Sequence, residues 1–257
     1  MVKIGCRNLG KFFRIGRDTF EAVRDLNFEV NEGELVSVVG KTGCGKSTLL
    51  GILLGLQKPT NGVVTIDRRE PYNDFDYFRG KLSAVFQTDR LLPWRTTLEN
   101  AKYGLEILKV HKKEQLQKAR YWLDKLGLLG FEGAYPHELS GGMRQRVGIA
   151  RAFSVDPEIL LCDEAFGHLD EVTANRLRAD FLNLVRETKK TALFITHDIE
   201  EAMELGDRVL VLGKPAHLLM DIRLTKGLKD SPSGLKDLKG RIIQAIESDE
   251  PAVESRA

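Results

Sequence analysis

The rhythm of apolar and polar positions changes twice along this chain of 257 residues. Over residues 2–30, Phe20, Ala22, Leu26, Phe28 and Val30 recur at even spacing, mostly among Glu, Arg and Asn. That is the period of half-buried strands and predicts an antiparallel layer. Short apolar runs at 34–39, 63–66 and 82–86 predict buried strands, the first two separated by a turn at 58–62 (Lys, Pro, Thr, Asn, Gly). From about 96 to 153 helical stripes replace them: Leu98, Ala101, Leu105 and Leu108, then Leu116, Ala119, Leu123 and Leu126, stopped at Gly127. Thr96 and Glu99 form a capping box for the first, and Ser140 is the N-cap of a third helix. Strands return at 158–162, 192–195, 208–212 and 217–222, with a helix lined by Leu177, Phe181 and Leu184 between the first two. A short last helix is expected at 235–246, with Leu235, Leu238, Ile242 and Ile246 on one face and an acidic tail from Glu247 expected to fray. The pattern predicts an α/β fold: a parallel core, an N-terminal antiparallel β layer and an α-helical subdomain inserted at about 88–155.

The stretch between the strand 34–39 and the helix after it carries the clearest chemistry. Gly40, Lys41, Thr42, Gly43, Cys44, Gly45, Lys46, Ser47 and Thr48 match the phosphate-binding loop pattern of nucleoside triphosphatases. Three glycines let the backbone coil until successive N–H groups point at phosphate oxygens, and the helix start adds its positive end. Lys46 can reach the β- and γ-phosphates, and the Ser47 hydroxyl is placed to ligate Mg²⁺.

Other positions fall where ligands gather in such sheets, at the carboxyl ends of strands. Gln87 ends the run 82–86, as a solvated strand end or as a contact to ligand or water. Asp163 and Glu164 end the run 158–162. Adjacent carboxylates there need a compensating cation, which Mg²⁺ supplies for Asp163. Glu164 can then aim at water in line with the γ-phosphate as a general base. His197 follows another strand and is read as a γ-phosphate contact, and Asp170 as a helix N-cap. Ser140, Gly141 and Gly142 open a helix with bare N–H groups, a second anion site or a capped helix with a flexible lead-in. Phe12 and Phe13, between Lys11 and Arg14, are core or a platform for an adenine ring.

Composition adds exclusions. Basic and acidic residues nearly balance, 39 against 37, with no basic stripe, which argues against a primary nucleic-acid binder. The three cysteines, Cys6, Cys44 and Cys162, have no metal-ligand spacing and are expected as free thiols in a reducing compartment. The start has no signal-peptide core, and no apolar run approaches the ~18–20 residues that span a bilayer. A cytoplasmic chain is expected, anchored by something else if it works at a membrane.

Six elements stand in order: 40–47, Gln87, 139–145, 159–164, 168–170 and His197. Together they resemble the nucleotide-binding subunit of ATP-binding cassette (ABC) transporters, over about residues 2–222. The resemblance implies a P-loop NTPase core of RecA type over 1–222, leaving 223–257 as a short extension without the regulatory domain of sugar-type importers. It implies ATP and Mg²⁺ as ligands, Phe13 (or Phe12) stacking on adenine, and Gln87 contacting Mg²⁺ or water. Ser140, Gly141 and Gly142 become the signature that touches the γ-phosphate bound to the other subunit, with Asp170 at the dimer seam. The stretch 87–94, ending in Leu91, Leu92, Pro93 and Trp94, is similar to importers of nitrate, taurine and aliphatic sulfonates. It implies a groove for a partner's helix, where its bare composition also suits an apolar cluster under a loop. The implied partners are a second copy, transmembrane permease subunits at the cytoplasmic face of the membrane and a separate solute-binding protein. The competing expectation is a soluble cassette ATPase acting on ribosomes or nucleic acid, which usually carries two cassettes or a long coiled-coil insertion. Three departures stand out: Ala165 where the family usually has Pro, Met143 where it has Gln, and His168 where it has Ala.

Overall fold

A computed structural model describes residues 1–16, 18–167 and 169–249, so His168 and the expected fraying beyond 249 fall outside the described residues. The chain begins with β1 (Val2–Ile15), β2 (Asp18–Asn31), β3 (Leu35–Gly40), α1 (Lys46–Leu53) and β4 (Asn61–Ile66). Then come β5 (Leu82–Phe86), α2 (Thr97–Ala101), α3 (Tyr103–Ile107), α4 (Lys112–Lys125), α5 (Gly141–Ser154), β6 (Ile159–Asp163) and α6 (Glu171–Glu187). It closes with β7 (Thr191–Thr196), α7 (Ile199–Leu205), β8 (Arg208–Leu212), β9 (Leu218–Arg223), α8 (Lys226–Lys229) and α9 (Pro232–Ser248). The class is the expected α/β, in two compact units: Met1–Phe75 with Leu193–Ala257, and Asp76–Ala192.

In the first unit, β1 pairs antiparallel with β2 and β4, giving the N-terminal layer. Register shifts around Leu9 and Lys11 move the buried face of β2. Val23 is therefore buried, while Phe20, expected in the core, is 47 % exposed opposite Phe13. β3 is buried along its whole length and pairs parallel with β8, which pairs antiparallel with β9. Residues buried on both faces explain why 34–39 reads as a continuous apolar run rather than an alternation. The strand expected from His217 starts at Leu218, because the His217 ring turns back to the Pro215 carbonyl. α7 has no counterpart among the expected elements; Asp198 caps it by accepting from the N–H groups of Glu200 and Glu201. The last helix is longer than expected, and Leu238, Ile242 and Ile246 join Val39, Val209 and Val211 in one apolar cluster. Leu235 stays at the margin of that cluster.

In the second unit, β5 and β6 pair in parallel. The Thr96–Glu99 capping box forms as expected, but its stripe splits into α2 and α3 around Lys102. α4 buries Ala119, Trp122 and Leu123, while Leu116, expected inside, is 37 % exposed. Aromatic rings hold the helices: Trp122 lies 4.8 Å from Phe153, and Phe181 lies 5.6 Å from Phe153 and 5.7 Å from Phe166 between centroids. Phe181→Ala is expected to lower stability by about 3–5 kcal/mol, read as a fall in the denaturant midpoint; a shift within error would deny this cluster its structural role.

Candidate functional site

In the first unit, β3 runs into the loop 40–45 and α1 begins at Lys46. Gly43 has φ 74° and Gly45 φ 121°, conformations that L side chains rarely adopt. A Cβ on Gly45 would stand 2.1 Å from the Ala22 carbonyl oxygen and 2.9 Å from the Ala216 methyl. A Cβ on Gly40 would come within 2.8 Å of the Leu212 carbonyl oxygen. Around Gly43 there is open space, so only its dihedral demands glycine. The Cys44 N–H donates to the Lys41 carbonyl at 3.2 Å, closing the turn. No side chain caps α1 and its first turn has no acidic residue, so the helix start and the coiled loop together suit an anion.

Lys46 is buried, and its ammonium donates to the carbonyls of Gly40 at 2.6 Å and Lys41 at 2.9 Å. These bonds compensate the buried charge and curve the side chain over the loop, where an ammonium with three donors can also reach a phosphate. Ser47 is exposed and Thr48 half-buried. Burial pushes the Cys44 thiol up in pKa, against the opposing charge of Lys46, so this residue serves the loop through its backbone. Phe13 is half-buried, with the Lys11 ammonium 5.0 Å from its ring centre and held by the Lys58 carbonyl at 2.7 Å. Phe12 is equally half-buried, its N–H donating to the Thr60 hydroxyl. His197 directly follows β7 and is exposed.

The second unit brings Gln87, Asp163 and Glu164 together. Asp163 ends β6, and Glu164 takes a φ of 45°, rare outside glycine and often found where a side chain must be aimed. The Gln87 amide donates to the Glu164 carboxylate at 3.1 Å. Sequence reasoning missed the residue that ties both loops down. Gln145 is buried in α5, and its amide donates to the carbonyls of Phe86 at 3.1 Å and Ala165 at 2.6 Å. The bond to Ala165 holds the loop where the family's proline would stiffen it. α5 also grips the segment after Gln87: Arg144 pairs with Asp89 at 3.0 Å, and Arg151 donates to the carbonyls of Asp89 and Arg90 at 2.8 Å each. Arginines seven apart on a helix share a face, a signal that was available. Nothing in the spacing names their partner.

Ser140 caps α5 by accepting from the Met143 N–H at 3.3 Å. A Cβ on Gly142 would meet Thr173 at 2.9 Å, so packing inside the chain requires that glycine. A Cβ on Gly141 would find only ordinary contacts, at 3.8 Å and beyond, so its bare backbone answers no neighbour described in this chain. Asp170 caps α6, and hydrogen bonds from the Thr173 backbone and hydroxyl hold its carboxyl below the usual range.

Two substitutions check this geometry. Gly45→Ala is expected to weaken ATP binding at least about tenfold, more than 1.4 kcal/mol, by equilibrium titration; unchanged affinity would contradict the close approach at Ala22. Gln145→Leu leaves two carbonyls without their donor and is expected to cost about 1–3 kcal/mol, by denaturant unfolding.

The ABC transporter family matches residues 23–167. An uncharacterized ABC transporter ATP-binding protein of Methanocaldococcus jannaschii is 45% identical over 214 residues, covering 82% of this chain and 78% of that protein. A taurine import ATP-binding protein of Yersinia pestis is 40% identical over 229 residues, covering 89% and 86%. An aliphatic sulfonates import ATP-binding protein of Bacillus cereus is 35% identical over 247 residues, covering 95% and 96%. A solved dimeric ATP-binding cassette in a post-hydrolysis state, bound to ADP and Pi, matches with a TM-score of 0.78 at 34% identity, over 86% of this chain and 99% of that one. The chain belongs to the ABC transporter family, as one of its ATP-hydrolysing cassettes.

Proposed function

We propose that this chain is the ATPase subunit of an importer for a small solute of the nitrate, sulfonate or taurine kind. The observation that carries the catalytic assignment is the bond from Gln87 to Glu164, which aims a carboxylate at the end of β6. Glu164 takes the proton of the attacking water, Lys46 and His197 hold the γ-phosphate, and the loop N–H groups cradle the β-phosphate. Phe13 stacks on the adenine ring. Ser47, Gln87 and Asp163 would hold Mg²⁺, which would supply charge neutralisation at the phosphates. Those oxygen donors fit Mg²⁺. This cation keeps several waters and takes only one or two carboxylates beside substrate phosphates.

Two copies close head to tail, each ATP held by 40–48 of one and by Ser140, Gly141 and Gly142 of the other, with Asp170 at the seam. The open backbone at Gly141 and the dimeric solved cassette support that pairing. Among the described residues no helix is long and apolar enough to cross a membrane. In the importer reading, separate permease subunits carry the path and a separate binding protein delivers the solute. Trp94 is 70 % exposed beside the half-buried Leu91 and Leu92, not tucked under a loop, which suits a permease helix docking at the cytoplasmic face. Asn100 fixes that segment through bonds to Leu92, Arg95 and Thr96. The names of the taurine and sulfonate relatives support the importer class over a ribosome or nucleic-acid partner.

Glu164→Gln is expected to cut ATP turnover at least about 10²-fold, the low end for a lost general base, while ATP-bound dimers accumulate in sizing experiments. Near-normal hydrolysis by that variant would falsify the assigned base.

A further inference from the structure

The C-terminal extension leaves one side-chain cluster that the ATPase reading does not use. At the end of α9, Asp249 accepts from the backbone N–H of Lys214 at 2.7 Å, and its other oxygen lies 3.1 Å from Nε2 of His217. Nδ1 of His217 lies 2.7 Å from the Pro215 carbonyl, so both ring nitrogens face acceptor oxygens. Gly213 closes the same loop by donating to the His217 carbonyl. A Cβ on Gly213 would fall 2.2 Å from Asp249 and 2.4 Å from the His217 ring, so glycine is what lets the carboxylate in.

The loop that Asp249 grips is also the floor of the phosphate loop. Its Ala216 donates to the Ala22 carbonyl at 3.0 Å, the same oxygen against which Gly45 is pressed. The Ala216 methyl closes the remaining space under Gly45. Arg24, next along β2, donates to the Ala216 carbonyl at 2.9 Å and carries its charge within electrostatic reach of Asp249. The end of α9 also borders the phosphate loop across a cavity. Ile246 and Asp249 line a cavity of about 210 Å³ together with Lys41, Thr42 and Cys44. Ile246 meanwhile anchors α9 in the core cluster with Val39 and Val211.

We infer that Asp249 and His217 are positioning residues for nucleotide binding: they latch the C-terminal helix onto the 213–217 loop and brace the phosphate loop through Ala216 and Gly45. The inference rests on residues 40–48 holding the nucleotide. It gives the extension a role in the ATP site of its own chain. Asp249 touches no reacting atom; its effect passes through two backbone contacts, so it appears in affinity for nucleotide and not in the hydrolysis step.

The test uses the full chain with Mg²⁺ and ATP, reading the dissociation constant by equilibrium titration, KM and kcat by phosphate release, and the melting temperature. Asp249→Asn, His217→Ala and Gly213→Ala are each expected to raise the ATP dissociation constant and KM about 3–10-fold with kcat within twofold. The double variant of Asp249 and His217 should be no weaker than the worse single one, since both break one contact. Lys239→Ala, which removes the pair that α9 makes with Glu200 of α7 and does not line that cavity, should bind ATP as the parent does. Parent-like ATP affinity in the three latch variants would overturn the inference, as would equal losses in Lys239→Ala. Should Asp249→Asn, the mildest change, instead lower the melting temperature with KM unchanged, the contact is structural only and the inference also falls. Lys46→Ala separates the two levels: ATP affinity untouched by that change refutes the phosphate-loop assignment itself, whatever the latch does.

Discussion

A single carbonyl, that of Ala22, fixes the course of the glycine-rich loop after β3. Gly45 is pressed against it at a φ of 121°, leaving no room for a Cβ, and Ala216 donates to the same oxygen. The loop after β3 is therefore seated on the β2 backbone before any ligand arrives. Preorganisation of this kind is where phosphoryl-transfer enzymes gain most, because positioning and charge stabilisation are nearly all the protein supplies. Lys46 fits the same logic. Its buried charge is already compensated by two loop carbonyls, so little rearrangement is needed when phosphate joins them.

The other unit shows the same economy of means in α5. Its first turn is capped by Ser140 and bare of side chains at Gly141 and Gly142, and its later turns hold the loops that follow β5 and β6. Gln145 fastens the carbonyls of Phe86 and Ala165, while Arg144 and Arg151 fasten Asp89 and Arg90. The two arginines cost side-chain entropy to order, and α5 offsets it by bonding backbone carbonyls that would otherwise need water.

What the sequence discloses here follows from how local each signal is. The turn from strand to helix at 40–46, the Thr96 capping box, the N-caps at Ser140 and Asp170 and the stripe of α6 all depend on residues within a few positions of one another, and each formed as expected. Phe20 and Leu116 failed because register shifts in β1 and the choice of Trp122 for the core are decided by partners far along the chain. The break at Lys102, the Gln145 bonds and the Asp249–His217 pair are likewise tertiary, with no local pattern to announce them. Ala165 shows the converse: where the family usually has proline, the loop is held by a hydrogen bond from Gln145 of α5.

The central claim is that neither copy completes an ATP site alone. ATP turnover per chain, measured for the isolated protein across a wide dilution series at saturating Mg²⁺ and ATP, addresses it directly. Specific activity should fall steeply once the concentration drops below the dimer dissociation constant, and recover on reconcentration. Constant specific activity at every dilution, from a species that sediments as a monomer throughout, would contradict the shared site.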